Sequence, residues 1–143
     1  MTTVIADRRC MEMHSDSRVT LRGYATFSSE KIFRIGDSLF GCSGDMSSAK
    51  KLLKWIEDGA DAESAPDLGE IDVLELRMDG TLMIWDESCV SMVVEDEYYA
   101  VGTGGTPAMC LMDAGLSAED ALRIIEVRDP GTAGPFVVRT LED

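Results

Sequence analysis

Residues 38–59 read SLFGCSGDMSSAKKLLKWIEDG. An apolar run from Ser38 to Cys42 meets the turn Gly41-Cys42-Ser43-Gly44 and stops at Asp45, a good helix N-cap. Met46, Ala49, Leu52, Leu53 and Ile56 then recur at helical spacing, with Lys50, Lys51 and Lys54 on the other face. Gly59 is a natural helix stop. The stretch predicts a strand that turns directly into an amphipathic helix. Such a turn presents backbone N–H groups beside a helix N-terminus, which suits an oxyanion. The plain alternative is a simple connecting turn.

Upstream, the chain reads as short strands: Thr3 to Asp7, Cys10 to Asp16, Tyr24 to Phe27 and Lys31 to Ile35, divided by Gly and Ser punctuation. Downstream, Ala60 to Gly69 reads as a loop. Ile71 to Arg77 and Thr81 to Asp86 flank Asp79-Gly80, a hairpin signal. Val90 to Val94 and Glu97 to Val101 continue the strands. Gly102-Thr103-Gly104-Gly105 leads into a helix expected to be capped at Thr106, with Pro107 in first position and Gly115 at its end. Ser117 with Asp120 caps another helix reaching about Val127. Asp129-Pro130-Gly131 breaks it, and Phe136 to Leu141 forms a last strand. Strands, helix, strands, two helices and a strand predict an α+β layered sandwich, not a doubly wound sheet.

The chain has 143 residues, which predicts one domain, 1–143. It carries 13 basic and 27 acidic side chains, a net charge of −14. That charge speaks against a nucleic-acid backbone or an anionic membrane as partner, since both require clustered Lys and Arg. No apolar run approaches the length of a membrane span. The start reaches Asp7, Arg8 and Arg9 before any apolar core develops, so it does not read as a signal peptide. Cys10, Cys42, Cys89 and Cys110 lack the close spacing of zinc ligands, and His14 is the one histidine. The cysteines read as reduced thiols of a cytoplasmic protein, and no metal or cofactor is expected.

Removal of Met1 would leave Thr2 with a nucleophilic hydroxyl and its own base, the α-amine. Met-Thr-Thr is also simply a common start. Asp16 and Lys31 could form a buried pair that lowers an amine pKa, or an ordinary surface ion pair. Asp129 with Thr132 reads alone as an Asx-capped turn. The Gly102–Gly105 turn is no phosphate loop, because no Gly-Lys-Ser/Thr follows.

Taken together and in order, these fragments resemble the β-type subunits of the proteasome and the bacterial proteasome-like protease HslV, which are N-terminal-nucleophile (Ntn) hydrolases. Thr2-Thr3-Val4-Ile5 with Arg8-Arg9 looks like the mature start of HslV. Asp16-Ser17-Arg18-Val19-Thr20 looks like the Asp-Ser-Arg-Ala-Thr run of proteasome β subunits. Lys31-Ile32 matches the family's catalytic lysine, and Gly41 to Gly44 its oxyanion turn. Ala100-Val101-Gly102-Thr103-Gly104-Gly105 looks like its Ala-Ile-Gly-Ser-Gly-Gly segment, with Thr for Ser. Asp129-Pro130-Gly131-Thr132 falls where the family has an Asp followed by a hydroxyl residue.

The resemblance covers most of the chain and implies a four-layer α-β-β-α sandwich. After Gly59 the family usually has a second long helix, so one outer layer is expected to be shortened and the chain to be shorter than its relatives. The implied activity is threonine-type peptide hydrolysis, with Thr2 as nucleophile. Lys31 and Asp16 would set its electrostatics, Gly44 would bind the oxyanion, and Thr103, Asp129 and Thr132 would orient the amine. Val19, Thr20, Cys42 and Met46 would bind substrate, with an apolar residue preferred before the scissile bond. The implied partners are a peptide or protein substrate, further copies in a homo-oligomeric ring and, as an option, an ATPase unfoldase. Some relatives hold a cation near the Asp129–Thr132 turn, but no ligand cluster here requires one. Two rival readings remain: a non-catalytic subunit of the same fold, and an Ntn amidase acting on a small molecule.

Overall fold

The computed structural model describes residues 2–142. Two antiparallel sheets face each other. One has the order β10 (Tyr98–Val101), β1 (Val4–Asp7), β2 (Glu12–Ser15), β11 (Val137–Arg139). The other runs β5 (Ile32–Ile35), β6 (Ser38–Gly44), β7 (Ile71–Arg77), β8 (Leu82–Asp86), β9 (Ser91–Val94). A separate hairpin pairs β3 (Arg18–Leu21) with β4 (Ala25–Ser28).

Side-chain alternation along the strands makes the layers. Val4 and Ala6 of β1 face Leu74 and Leu76 of β7 in a core between the sheets, joined by Met13, Ile32, Leu39 and Val101. Ile5, between them in sequence, points the other way. It packs with Ala108, Met112, Ala121 and Leu122 of helices α2 (Gly105–Asp113) and α3 (Ala118–Arg128). On the far side, Phe40, Cys42, Ile71 and Val73 pack under Ala49, Leu52 and Leu53 of helix α1 (Met46–Glu57). Each fully buried aliphatic side chain contributes about 1.5–3 kcal/mol, so both sheets are held from both faces. The result is the expected α-β-β-α sandwich. Its α1 layer is the short one, since only a 3-10 turn, Ala62–Ser64, follows in the expected loop.

Local chemistry sets the element ends. Asp45 caps α1, accepting from the Ser47 N–H, and Ser117 caps α3, accepting from the Asp120 N–H. Helix α2 begins earlier than expected, at Gly105 with Gly104 as its N-cap and no side-chain cap. Pro107 is the third helical residue, not the first. It is tolerated there because first-turn N–H groups have no intrahelical partner. Strand β3 was absent from the sequence reading, and β2 and β11 are shorter than the runs that predicted them.

Candidate active site

The catalytic candidates lie where elements begin or end. Thr2 precedes β1, Asp16 follows β2, and Lys31 precedes β5. Gly44 closes β6, Thr103 lies between β10 and α2, and Asp129 with Thr132 follows α3. Sandwiching the two sheets gathers these ends at one edge.

Lys31 is the centre of the arrangement. Its side chain is 1% exposed and Asp16 is 0% exposed. Lys31 Nζ donates to Thr2 Oγ1 at 3.0 Å, to Asp16 Oδ1 at 2.9 Å and to the Arg18 carbonyl oxygen. All three ammonium protons therefore have acceptors. Burial pushes the Lys31 ammonium below its ordinary range, and the hydrogen bond and charge of Asp16 oppose this without cancelling it. The surface ion-pair alternative does not hold, because neither partner reaches solvent.

Asp16 is fixed by the backbone. Its Oδ1 also accepts from Thr3 N at 3.1 Å, and its Oδ2 accepts from Arg18 N at 3.2 Å and Ala133 N at 3.3 Å. A buried carboxylate so surrounded is positioned rigidly and keeps its hydrogen-bonding capacity satisfied.

A second cluster abuts the first. Asp129 Oδ2 accepts from Thr103 Oγ1 at 2.7 Å and from Thr132 Oγ1 at 2.8 Å, and Asp129 Oδ1 accepts from Gly131 N at 3.0 Å. Burial pushes the Asp129 carboxyl up, but these hydrogen bonds outweigh it and hold the group below its ordinary value. Thr132 Oγ1 lies 2.8 Å from Thr3 Oγ1, tying this cluster to the chain start. Gly104 N donates to the Thr2 carbonyl at 3.4 Å.

Gly44 and Thr103 border one cavity of about 420 Å³, with Ser43 and Gly102 also on its wall. A Cβ on Gly44 would lie 2.5 Å from the Glu70 carbonyl oxygen, so the turn admits only glycine. Val19 and Thr20 are half-buried on β3, opposite Phe27 and Thr26. Cys42 is fully buried beneath α1, with Phe40, Ala49 and Leu52, and Met46 is half-buried in the same cluster. Neither lines the cavity. Burial pushes the Cys42 thiol up to about 12.

The sequence reading gave no separate role to Thr3, whose N–H and hydroxyl link Asp16 to Thr132. Its one available signal was the doubled threonine. The Arg18 carbonyl and the Ala133 N–H are backbone groups, which residue types do not reveal. Among the described residues, no group of three or more His, Cys, Asp or Glu is gathered to hold a metal ion. Likewise, no helix there is long and apolar enough to cross a membrane.

No protein-family model matches the chain, and no curated protein matches its sequence. Solved structures do match. Eukaryotic HslV from Trypanosoma brucei is 23% identical with a TM-score of 0.72, over 96% of this chain and 98% of that one. BPH from Thiobacillus denitrificans, in complex with epoxomicin, is 19% identical with a TM-score of 0.67, over 98% and 99%. Anbu from Hyphomicrobium sp. strain MC1, as a Gly-1 mutant, is 10% identical with a TM-score of 0.69, over 96% and 80%. Nearly the whole chain adopts the proteasome-type Ntn-hydrolase fold shared by HslV, BPH and Anbu.

Proposed function

We propose that the protein is a threonine-type peptidase whose nucleophile is Thr2, exposed by removal of Met1. Met1 itself lies outside the described residues. The observation that carries the reading is the buried Lys31 ammonium, 3.0 Å from Thr2 Oγ1 and 2.9 Å from Asp16. An inert subunit gains little from this arrangement, because burying a charged pair costs more in desolvation than an apolar packing of the same volume.

In the proposed reaction Thr2 Oγ attacks the amide carbonyl, and its proton passes to the α-amine freed by loss of Met1. Lys31 stabilises the negative charge that develops on Oγ. The turn at Gly44 supplies the N–H for the tetrahedral oxyanion. Collapse breaks the C–N bond, the amine leaves with the proton, and water hydrolyses the threonyl ester by the same route. Thr103, Asp129 and Thr132 orient the α-amine through the hydrogen bonds that join them to each other and to Thr3. Val19 and Thr20, on the hairpin that begins at the Lys31 acceptor Arg18, flank the bound chain, with Cys42 and Met46 behind the turn.

The same reading makes the protein one member of a homo-oligomeric ring acting on peptide or protein substrates in the cytoplasm, with an ATPase unfoldase as a candidate partner. The test is turnover of fluorogenic peptides. Thr2→Ala should abolish it with the fold intact by circular dichroism, and Thr2→Ser should retain part of it. Unchanged turnover by Thr2→Ala would overturn the assignment.

A further inference from the structure

The cavity beside Gly44 and Thr103 does not end there. Glu70 and Asp72 also line it, and Asp72 is shared with a second cavity of about 160 Å³. Strand register explains the continuity. Asp72 pairs with Ser43 on one side and Asp86 on the other, at the end of the five-stranded sheet. It stands two and four residues before Leu74 and Leu76, so it lies on the same face as they do, turned toward the other sheet. Beyond it, the second cavity is lined by Ile84, Asp86, Val90 and Met92. Val90 is 65% exposed and Met92 67% exposed.

Two features distinguish this groove from an ordinary acidic surface. No Lys or Arg lines either cavity, and among the described residues no cation pairs with Glu70 or Asp72. The two carboxylates also line the same 420 Å³ cavity as the turn that would bind the oxyanion, on and just before the strand paired with it. Burial pushes the Asp72 carboxyl up, and Glu87, Glu70 and Asp86 add to the shift, so a bound cation there would relieve mutual repulsion.

We infer that the two cavities form one substrate groove that selects peptides carrying a basic side chain at Asp72 and Glu70, with an apolar side chain beyond, against Ile84 and Met92. This rests on the peptidase reading above and names its substrate class. The basic residue is a positive selection, and acidic residues at the same position are repelled by Asp72, Glu70 and Asp86 together.

The test uses peptides matched except at one position, with Arg, Leu or Glu placed in turn at each of the three positions on either side of the scissile bond. At one position kcat/KM should follow Arg over Leu over Glu, with Arg favoured over Leu about fivefold, as for a partly exposed charge pair. Asp72→Asn should shrink that ratio, and Asp72→Lys should invert the order of Arg and Glu. Glu70→Gln serves if neither variant folds. Binding of the same peptides to Thr2→Ala protein, followed by fluorescence anisotropy, separates this inference from the catalytic one. Arg-selective binding without wild-type cleavage upholds the groove and sinks the peptidase reading. Cleavage with the same kcat/KM for Arg, Leu and Glu at every position overturns the groove. So does a preference for Arg that Asp72→Lys leaves unchanged.

Discussion

Lys31 Nζ lies 3.0 Å from the hydroxyl of Thr2, across 29 positions of sequence and out of contact with solvent. The chain spends a buried ammonium on that contact and holds it in place with an equally buried carboxylate, Asp16. The pair has consequences for stability that differ from its consequences for rate.

Lys31→Ala should abolish turnover. It should also destabilise the fold by about 3–5 kcal/mol, because it leaves a buried carboxylate without its counter-ion. Asp16→Asn combined with Lys31→Met removes both charges and should recover much of that stability while staying inactive. Urea melts with parallel peptide assays check both halves. Near-wild-type turnover by Lys31→Ala would contradict the catalytic role given to Lys31.

Asp129 gives a pH signature. Its folded pKa lies below the ordinary value of 3.8, so its stabilising contribution is fully present above that value. It is lost as pH falls through the folded value, where the folded chain also takes up the proton. Asp129→Asn should therefore be less stable than wild type at neutral pH, with the gap closing below about pH 4. Thermal melts of both proteins between pH 3 and 7 measure it, and a gap that widens on acidification would contradict the assignment.

Gly102 allows the chain start to approach the site. Its φ is +94°, and a Cβ would lie 1.9 Å from the Thr2 carbonyl oxygen. Gly80 has φ +89° but nothing within 4 Å of such a Cβ. Gly80→Ala should cost about 1–2 kcal/mol from backbone strain alone. Gly102→Ala should cost more and should also displace Thr2, abolishing activity. Equal effects of the two substitutions on activity would contradict a role for Gly102 in placing Thr2.

Assembly is expected from surfaces that water alone covers. Leu21 is 52%, Tyr24 77% and Phe27 50% exposed on the β3–β4 hairpin, and a two-stranded hairpin is marginally stable by itself. Among the methionines, Met83 and Met112 are core, Met46 and Met109 half-buried, and Met78 and Met92 exposed. Light scattering should give an oligomer, more complete near about 0.5 M salt, where repulsion between subunits of charge −14 is screened. A monomer at tens of micromolar in both low and high salt would refute it.

The parts of this architecture that sequence discloses are those set by local chemistry. The Asp45 cap and Gly59 stop bound α1, and Asp79-Gly80 makes the β7–β8 turn. Strand β3 escaped because Arg18-Val19-Thr20-Leu21 has no clean alternation, its residues being half-buried or exposed on a hairpin outside both main sheets. The start of α2 was misplaced because Gly104 caps it without a side chain, while Thr106 and Pro107 imitate a cap and a first residue. At the site, the residue types at Thr2, Asp16 and Lys31 were legible, but their mutual burial was not. It depends on how two sheets stack, which no local pattern encodes. Cys42 illustrates the same limit: β6 alternation puts it on the α1 face, fully buried, while Gly41 faces Val4 and Met13.

The central claim is that Thr2 is an N-terminal nucleophile, and chemical labelling of it is the most direct test. A peptide boronate needs a hydroxyl beside an oxyanion site, and an epoxyketone needs a hydroxyl and a free α-amine on one residue. Burial pushes the Cys42 and Cys10 thiols up to about 12, which makes these two poor nucleophiles. The measurement is intact mass followed by mapping of the epoxyketone adduct. The account predicts one adduct per chain, on a peptide that begins at Thr2. A Met1-free protein that stays unlabelled, or an adduct on Cys10 or Cys42, would contradict it.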